Sequence, residues 1–330
     1  MMKRYIIAGV IIALLLWTSV IILIPSTDAY TLDNPLWNGL SIASNEFKLS
    51  YTTISELGNI AGNSIVFIIG PCRQPSEYEV EVLKGYVQAG GHLILMDEYG
   101  YVNNLIKSLG LNANITGKLL RDPLYFWRSS ALPIVNAFIS NETIRVYLNY
   151  ASTISHSGGI VLASSSYFSY LDLNLNGIHE INEPTGKMDV AVVYNVGRGR
   201  VVIISDSDIL INSMINQGGN LILIKSLIPS DRRAYVLRDF ISIGVYTILR
   251  ATISLIYSLI FYSSIKYPFI ALILIASYHV GRATHRWVNS MLMVKHKYRD
   301  IDNVVKKHPG WNREILKKIA EEVDKSGFNE

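Results

Sequence analysis

Cysteine is almost missing from this chain of 330 residues: Cys72 stands alone. That excludes an intramolecular disulfide framework and any zinc cluster built on thiolates. Charge is scarce too. Only 17% of the residues are charged while 50% are apolar, and the mean hydropathy is +0.27, a balance unlike that of a disordered chain or one with an entirely solvated surface. What charge there is divides unevenly. Residues 1–4 carry two basic and no acidic groups, residues 5–281 carry 17 and 19, and residues 282–330 carry 11 and 7, so the net +4 resolves into +2, −2 and +4. The basicity sits at the two ends, which reports topology rather than an acidic ligand, and no nucleic acid is expected as a partner.

Two long apolar stretches separate those ends from the middle. Tyr5 to Ile24 has no charge, and about 20 helical residues match one hydrocarbon thickness, which predicts an uncleaved anchor. A secretory signal is the competing reading, although residues 26–29 (Ser-Thr-Asp-Ala) make a poor cleavage site. The second stretch, Thr252 to Val280, is interrupted only by Lys266 and Pro268 and precedes Arg282, His285 and Arg286. Basic flanks mark cytoplasmic ends. The expectation is therefore a two-pass protein of the cell membrane, in contact with the lipid bilayer, with both termini cytoplasmic and the main domain exterior. The divisions are a stub and anchor over 1–29, an exterior domain over 30–230, a connecting or membrane-surface helix over 231–251, a second span over 252–281 and a basic helical tail over 282–330. Arg238 and Arg250 could then snorkel towards headgroups. Two glycosylation sequons, at Asn114 and Asn141, fall in the exterior part.

The middle alternates strand and helix signals. Ser64 to Ile69 is a continuous apolar run ending at Gly70-Pro71, the profile of a strand buried on both faces. Ser76 and Glu79 form a capping box ahead of Val80, Leu83 and Val87, and Gly90-Gly91 closes that helix before the apolar run His92 to Met96. Strand, helix and strand in so short a span make a βαβ unit. Further strands are expected at 144–148, 159–164, 190–195 and 200–204, with a hairpin turn at Gly197 and a closing helix over 208–227. The fold class that follows is α/β: an open, mostly parallel three-layer sheet, flavodoxin-like or class I amidotransferase-like, with flanking transmembrane helices.

Four features carry candidate chemistry. Asp172, Asn174, Asn176, Ile178, Glu180 and Glu183 fall at positions 1, 3, 5, 7, 9 and 12 of a calcium loop, with Gly177 at position 6. Either a structural Ca2+ or an ordinary Asn/Asp-rich turn accounts for them. Cys72 follows the first strand beside Arg73, yet it lacks a glycine-flanked nucleophile elbow; His92 or His156 would have to approach it in space. Asp97, Glu98, Asp206 and Asp208 follow strands, where they either rim a ligand edge or cap the neighbouring helices. In the tail, Ile301, Val304, Val305, Ile315 and Ile319 recur at helical spacing near Trp311, an amphipathic unit suited to docking on a membrane or a partner.

Several segments carry a resemblance: Pro75-Ser76-Glu77-Tyr78-Glu79, residues 90–95 (Gly-Gly-His-Leu-Ile-Leu), residues 100–106, residues 109–111, residues 120–125, the 172–183 loop and residues 197–206. With His308-Pro309-Gly310-Trp311-Asn312-Arg313 in the tail, they resemble archaeal members of domain-of-unknown-function family 4350. That resemblance implies a non-catalytic relative of class I glutamine-amidotransferase folds, often encoded beside MoxR-type AAA ATPases. The paired His and Glu and the Cys elbow of true amidotransferases are missing from the pattern. The leading expectation is a membrane-anchored binding or scaffold protein whose tail docks a MoxR-type AAA ATPase or neighbouring membrane proteins. The alternatives are an accessory subunit of a transporter, and a hydrolase using Cys72 or the Asp97/Asp206 edge.

Overall fold

The computed structural model describes residues 2–60, 62–262, 264 and 266–326. They form two compact units, Ile21–Ala251 and a second made of Met1–Val20 with Thr252–Glu330. In chain order the strands are β1 (Ser50–Thr52), β2 (Ser64–Ile69), β3 (His92–Met96), β4 (Ala113–Ile115), β5 (Leu119–Arg121), β6 (Phe126–Trp127), β7 (Ser129–Ile139), β8 (Glu142–Tyr147), β9 (Ile154–His156), β10 (Ile160–Ser164), β11 (Tyr170–Asp172), β12 (Asp189–Val196), β13 (Gly199–Ile204) and β14 (Arg233–Leu237). The helices are α1 (Met2–Leu23), α2 (Ser41–Phe47), α3 (Glu77–Gln88), α4 (Asn103–Ser108), α5 (Asn220–Leu227), α6 (Val245–Tyr262), α7 (Lys266–Lys307) and α8 (Arg313–Ser326).

One ten-stranded sheet organises the unit Ile21–Ala251, in the order β1-β14-β2-β3-β13-β12-β10-β7-β6, with β8 paired to β7. Its first five strands run parallel, and the pairings from β13 onward are antiparallel. The sheet is therefore mixed rather than mostly parallel. The reason is the turns: residues 140–141 join β7 to β8, and residues 197–198 join β12 to β13. So short a connection can join only antiparallel neighbours. Ser140 and Gly197 both take positive φ, 54° and 58°.

The parallel half is covered on both faces, as the apolar runs require. Ile65, Phe67 and Ile69 of β2 enter one core with α2 and α5, whereas Val66 and Ile68 enter another with α3 and α4. The βαβ unit is present as read, and its helix starts as its sequence dictates: Glu79 N–H donates to Ser76 Oγ at 3.4 Å while Ser76 N–H donates to Glu79 Oε2 at 2.8 Å. Arg73 then clamps Glu79 bidentately at 2.7 and 2.6 Å. That guanidinium and the capping bonds outweigh the effect of burial and hold the Glu79 carboxyl down at about 2.

Two local expectations fail. Residues 231–251 are not one connecting helix, because Arg233–Leu237 is a parallel strand between β1 and β2. Its pairing with β1 on one side and β2 on the other satisfies a sheet, not a membrane surface. The closing helix over 208–227 is reduced to a 3₁₀ turn at Asp208–Leu210 and α5, since Gly218 (φ 49°) and Gly219 break it.

The flanking transmembrane helices, and with them the two-pass localisation and the membrane assignment, are overturned: among the described residues no helix is long and apolar enough to cross a membrane. A span needs about 20 apolar residues in one unbroken helix. The Thr252 to Val280 stretch is instead divided between α6, which ends at Tyr262, and α7, which starts at Lys266 and continues through Arg282 to Lys307. The Arg250 guanidinium of α6 is engaged by Asp33 at 2.5 Å rather than snorkelling. Helix α1 includes Lys3 and Arg4, and its end is packed: Ile21 is buried, and the Tyr246 hydroxyl donates to the carbonyls of Ile21 and Ile24. Apolar length counted along a sequence does not register such breaks and contacts.

In the second unit, the Arg313 guanidinium at the start of α8 meets Asp302 of α7 at 2.8 Å. The His308 and Trp311 rings stack at 4.7 Å between these helices.

Candidate functional site

The carboxyl ends of β2, β3 and β13 lie side by side, so the residues that follow them share one edge of the sheet. Asp97 and Glu98 follow β3, and Asp206 and Asp208 follow β13. The structure thus brings all four ligand-edge candidates together. Their partners decide what they do.

Asp97 is fully buried and accepts N–H bonds from Tyr99, Gly100 and Val102 at 2.8, 3.1 and 2.9 Å. It shapes the turn between β3 and α4, and it does not cap the helix, whose N-terminus has no side-chain cap. Glu98 Oε2 accepts from the Ser207 N–H at 3.1 Å, and the Ser207 hydroxyl donates to the Met96 carbonyl at 2.8 Å, tying β3 to β13. Asp206 accepts from the N–H groups of Asn149 and Asp208 at 2.7 and 2.8 Å. Asp208 accepts from the Tyr30 hydroxyl at 2.7 Å and the Asn149 amide at 2.6 Å.

Burial and mutual repulsion dominate the electrostatics. Burial, then the neighbouring Asp208 charge, pushes the Asp206 carboxyl well above the usual range. Burial raises Asp208 against its bonds to Tyr30 and Asn149, and burial likewise raises Glu98 and Asp97. The Tyr30 phenol is raised by burial and by the Asp208 and Glu98 charges, so it stays a proton donor. The cluster is self-satisfied.

Tyr30 is the residue that sequence reasoning missed. It lies far from the edge in sequence and in no motif, and no local signal marks it. It sits at φ 57°, in a segment pinned by the Asp28 carboxylate, which accepts from the Gly244 N–H at 2.8 Å. A Cβ added at Gly70 would stand 2.2 Å from the Tyr30 ring. The aromatic ring thus occupies the end of β2, at the edge where α/β folds commonly hold ligands.

No nucleophilic set forms around Cys72. Its thiol is exposed and its N–H donates to the Phe240 carbonyl at 3.0 Å. Arg73 is committed to Glu79 and stacked 5.0 Å over Phe240. His92 pairs in register with Ile65 at the opposite end of β2, so it is on the order of 15–20 Å away along the strand. Burial, then Arg232 and Arg200, lower the His92 imidazole to about 4. His156 Nε2 lies 2.9 Å from Asp189, which also accepts from the Ser164 hydroxyl at 2.7 Å. The carboxylate stands between Ser and His, an order that cannot relay a proton from the serine through imidazole.

The 172–183 loop closes on itself. The Arg121 guanidinium donates to Asp172 at 2.5 Å, and Asp172 also accepts from the N–H groups of Asn176 and Gly177. Glu183 accepts from Leu173 and Glu180 N–H, and Glu180 accepts from the amides of Asn174 and Asn176. Ile178 is exposed, and its N–H donates to Asn176. Burial pushes Asp172 up, but Arg121 and these N–H groups outweigh it and hold the carboxyl low. Among the described residues no group of three His, Cys, Asp or Glu side chains could hold a metal ion. With Arg121 on the first-position carboxylate, this geometry fits a capped turn and does not fit a Ca2+ cage. The sequon asparagines Asn114, in β4, and Asn141, in the β7–β8 turn, are both exposed.

A family model described as a domain of unknown function, DUF4350, matches residues 40–228. The chain belongs to that family. The DUF4350 match takes in Asp97, Glu98, Asp206, Asp208 and the 172–183 loop, and it stops short of Tyr30. No curated protein matches the chain. Among solved structures, the DUF4350 chain is similar to the mmIFT52 N-terminal domain, at 16% identity and TM-score 0.41 over 54% of this chain and 79% of that one. It is similar to an alpha-L-fucosidase isoenzyme 2 from Paenibacillus thiaminolyticus, at 14% identity and TM-score 0.30 over 49% of this chain and 24% of that one. A beta-galactosidase from Bacillus circulans sp. alkalophilus gives 11% identity and TM-score 0.27 over 46% of this chain and 21% of the other. The chain thus spans less than a quarter of either glycosidase.

Proposed function

We propose that this DUF4350 protein is a non-catalytic, amidotransferase-like binding or scaffold protein. The observation that carries this reading is the strand-end cluster. Tyr30, Asn149 and backbone N–H groups take up the carboxylates of Asp206 and Asp208, and Cys72 faces solvent without a base. A hydrolytic site needs a nucleophile and a base converging on open space. In this role the α/β unit is a rigid body presenting surface loops, and the C-terminal helices dock a partner. Ile315 and Ile319, one turn apart on α8, and Trp311 before it are all exposed. A MoxR-type AAA ATPase is the partner proposed for that face.

Reconstitution tests it. The purified full chain should retain a purified MoxR-type ATPase on size exclusion, and removal of residues 295–330 should abolish retention. The C72A variant should remain fully functional in complementation. Folded but inactive C72A protein would instead overturn the non-catalytic reading.

A further inference from the structure

A second feature lies away from the strand-end cluster. Helix α4 and the small β4–β9 sheet flank an open cleft of about 580 Å³, lined by Asn103, Asn104, Lys107, Leu111, Asn112, Ala113, Asn114, Ser155, His156 and Ser157. That volume lies within the range of small-molecule sites, roughly 300–1,000 Å³. Eight of these ten residues have polar side chains and none is acidic. The lining therefore combines one permanent cation with side-chain amides and hydroxyls.

Some of these groups are committed and others are not. Asn103 and Asn104 are tied to the Ile115 backbone and the Pro75 carbonyl, so they form wall. The Asn112 amide donates to Ser157 Oγ at 2.5 Å and the Asn114 amide to the Ile115 carbonyl at 3.1 Å, leaving each its side-chain carbonyl oxygen and one N–H. Among the described residues the Lys107 ammonium and the Ser155 hydroxyl have no partner, and both residues are exposed. The ring of His156 is held by Asp189 through Nε2, and its Nδ1 is buried without a partner.

We propose that this cleft binds a small hydroxylated anion the size of a sugar phosphate or sugar acid. The oxyanion would sit on Lys107, and the hydroxyl groups would meet Asn112, Asn114, Ser155 and Ser157. A carboxylate-free lining favours an anion over a cation, and amides and hydroxyls suit a polyol better than an apolar ligand. The site shares no residue with the Tyr30–Asp208 cluster and does not depend on the chain being non-catalytic.

Isothermal titration of the full chain with glucose 6-phosphate, gluconate and glucose tests it. One of the two anions should bind at one site at least tenfold more tightly than glucose, and the tighter of them names the head group. Lys107→Gln should weaken that anion at least tenfold without changing the melting temperature, because Lys107 is exposed. Ser155→Ala should weaken the anion two- to fivefold. The His156 ring nitrogen signals should shift on titration in wild type. Absence of binding by both anions, equal binding of glucose, or an undiminished affinity in Lys107→Gln would overturn the proposal.

Discussion

The hydroxyl of Tyr30 donates to the Asp208 carboxylate at 2.7 Å across 178 residues of sequence, and the ring behind it covers Gly70. A residue outside the matched domain therefore fills the strand-end edge of that domain. The contact orders the N-terminal approach and satisfies a buried acid.

Tyr30→Phe keeps the ring and deletes the bond. Hydrogen bonds to charged groups contribute about 1.5–3 kcal/mol, and urea unfolding should show a loss of that size. A loss below about 0.5 kcal/mol, the low end for any such bond, would mean the phenol does not engage Asp208.

Gly70→Ala places a methyl group 2.2 Å from the Tyr30 ring at φ +51°. It should destabilise by about 3 kcal/mol, combining left-handed strain with overpacking. In a Tyr30→Ala background only the backbone part, about 1–2 kcal/mol, should remain. A double-mutant cycle with no coupling would separate the two residues.

The raised carboxyls make stability depend on pH in a definite direction. A carboxyl raised by folding binds more protons in the native state, so stability falls as pH rises from the unfolded value of 3.8 for Asp206 through its higher folded value. Glu79 has the opposite sign. Its value drops from 4.5 to about 2 on folding, so its contribution is present above 4.5 and lost as pH falls towards 2. Asp206→Asn should flatten the decline in melting temperature as pH rises above 3.8 and leave the Glu79 loss, as pH falls from 4.5 towards 2, in place. An unaltered slope above 4.5 would show that Asp206 titrates normally.

Arg121 and Asp172 carry the loop. Arg121→Met strands a buried carboxylate and should cost about 3 kcal/mol. Millimolar calcium should leave the melting temperature of the wild type unchanged and partly restore that of the variant. Stabilisation of the wild type by calcium would show that the loop opens its Arg121 contact to admit the ion.

Much of the fold was legible because its signals are local. The apolar runs of β2 and β3 and the Ser76–Glu79 box specify strand and helix through neighbours a few residues away. The turn glycine Gly197 does the same for the β12–β13 hairpin. The loop from Asp172 to Glu183 was legible only as two alternatives, a calcium loop or a turn, because the Arg121 contact to Asp172 comes from 51 residues away in sequence.

What the sequence alone determined is therefore the βαβ core, the single uncommitted thiol and the placement of four acids at strand ends, since each depends on short-range periodicity and chain order. Only the tertiary structure decided the rest. The partners of those acids are Tyr30 and Asn149, which no spacing rule connects to them. The segment at 233–237, read as part of a helix, became a strand because it completes a parallel edge between β1 and β2. The apolar stretches failed as membrane spans because among the described residues no helix is long and apolar enough to cross a membrane, and helix length in three dimensions is not recorded by hydropathy along the chain.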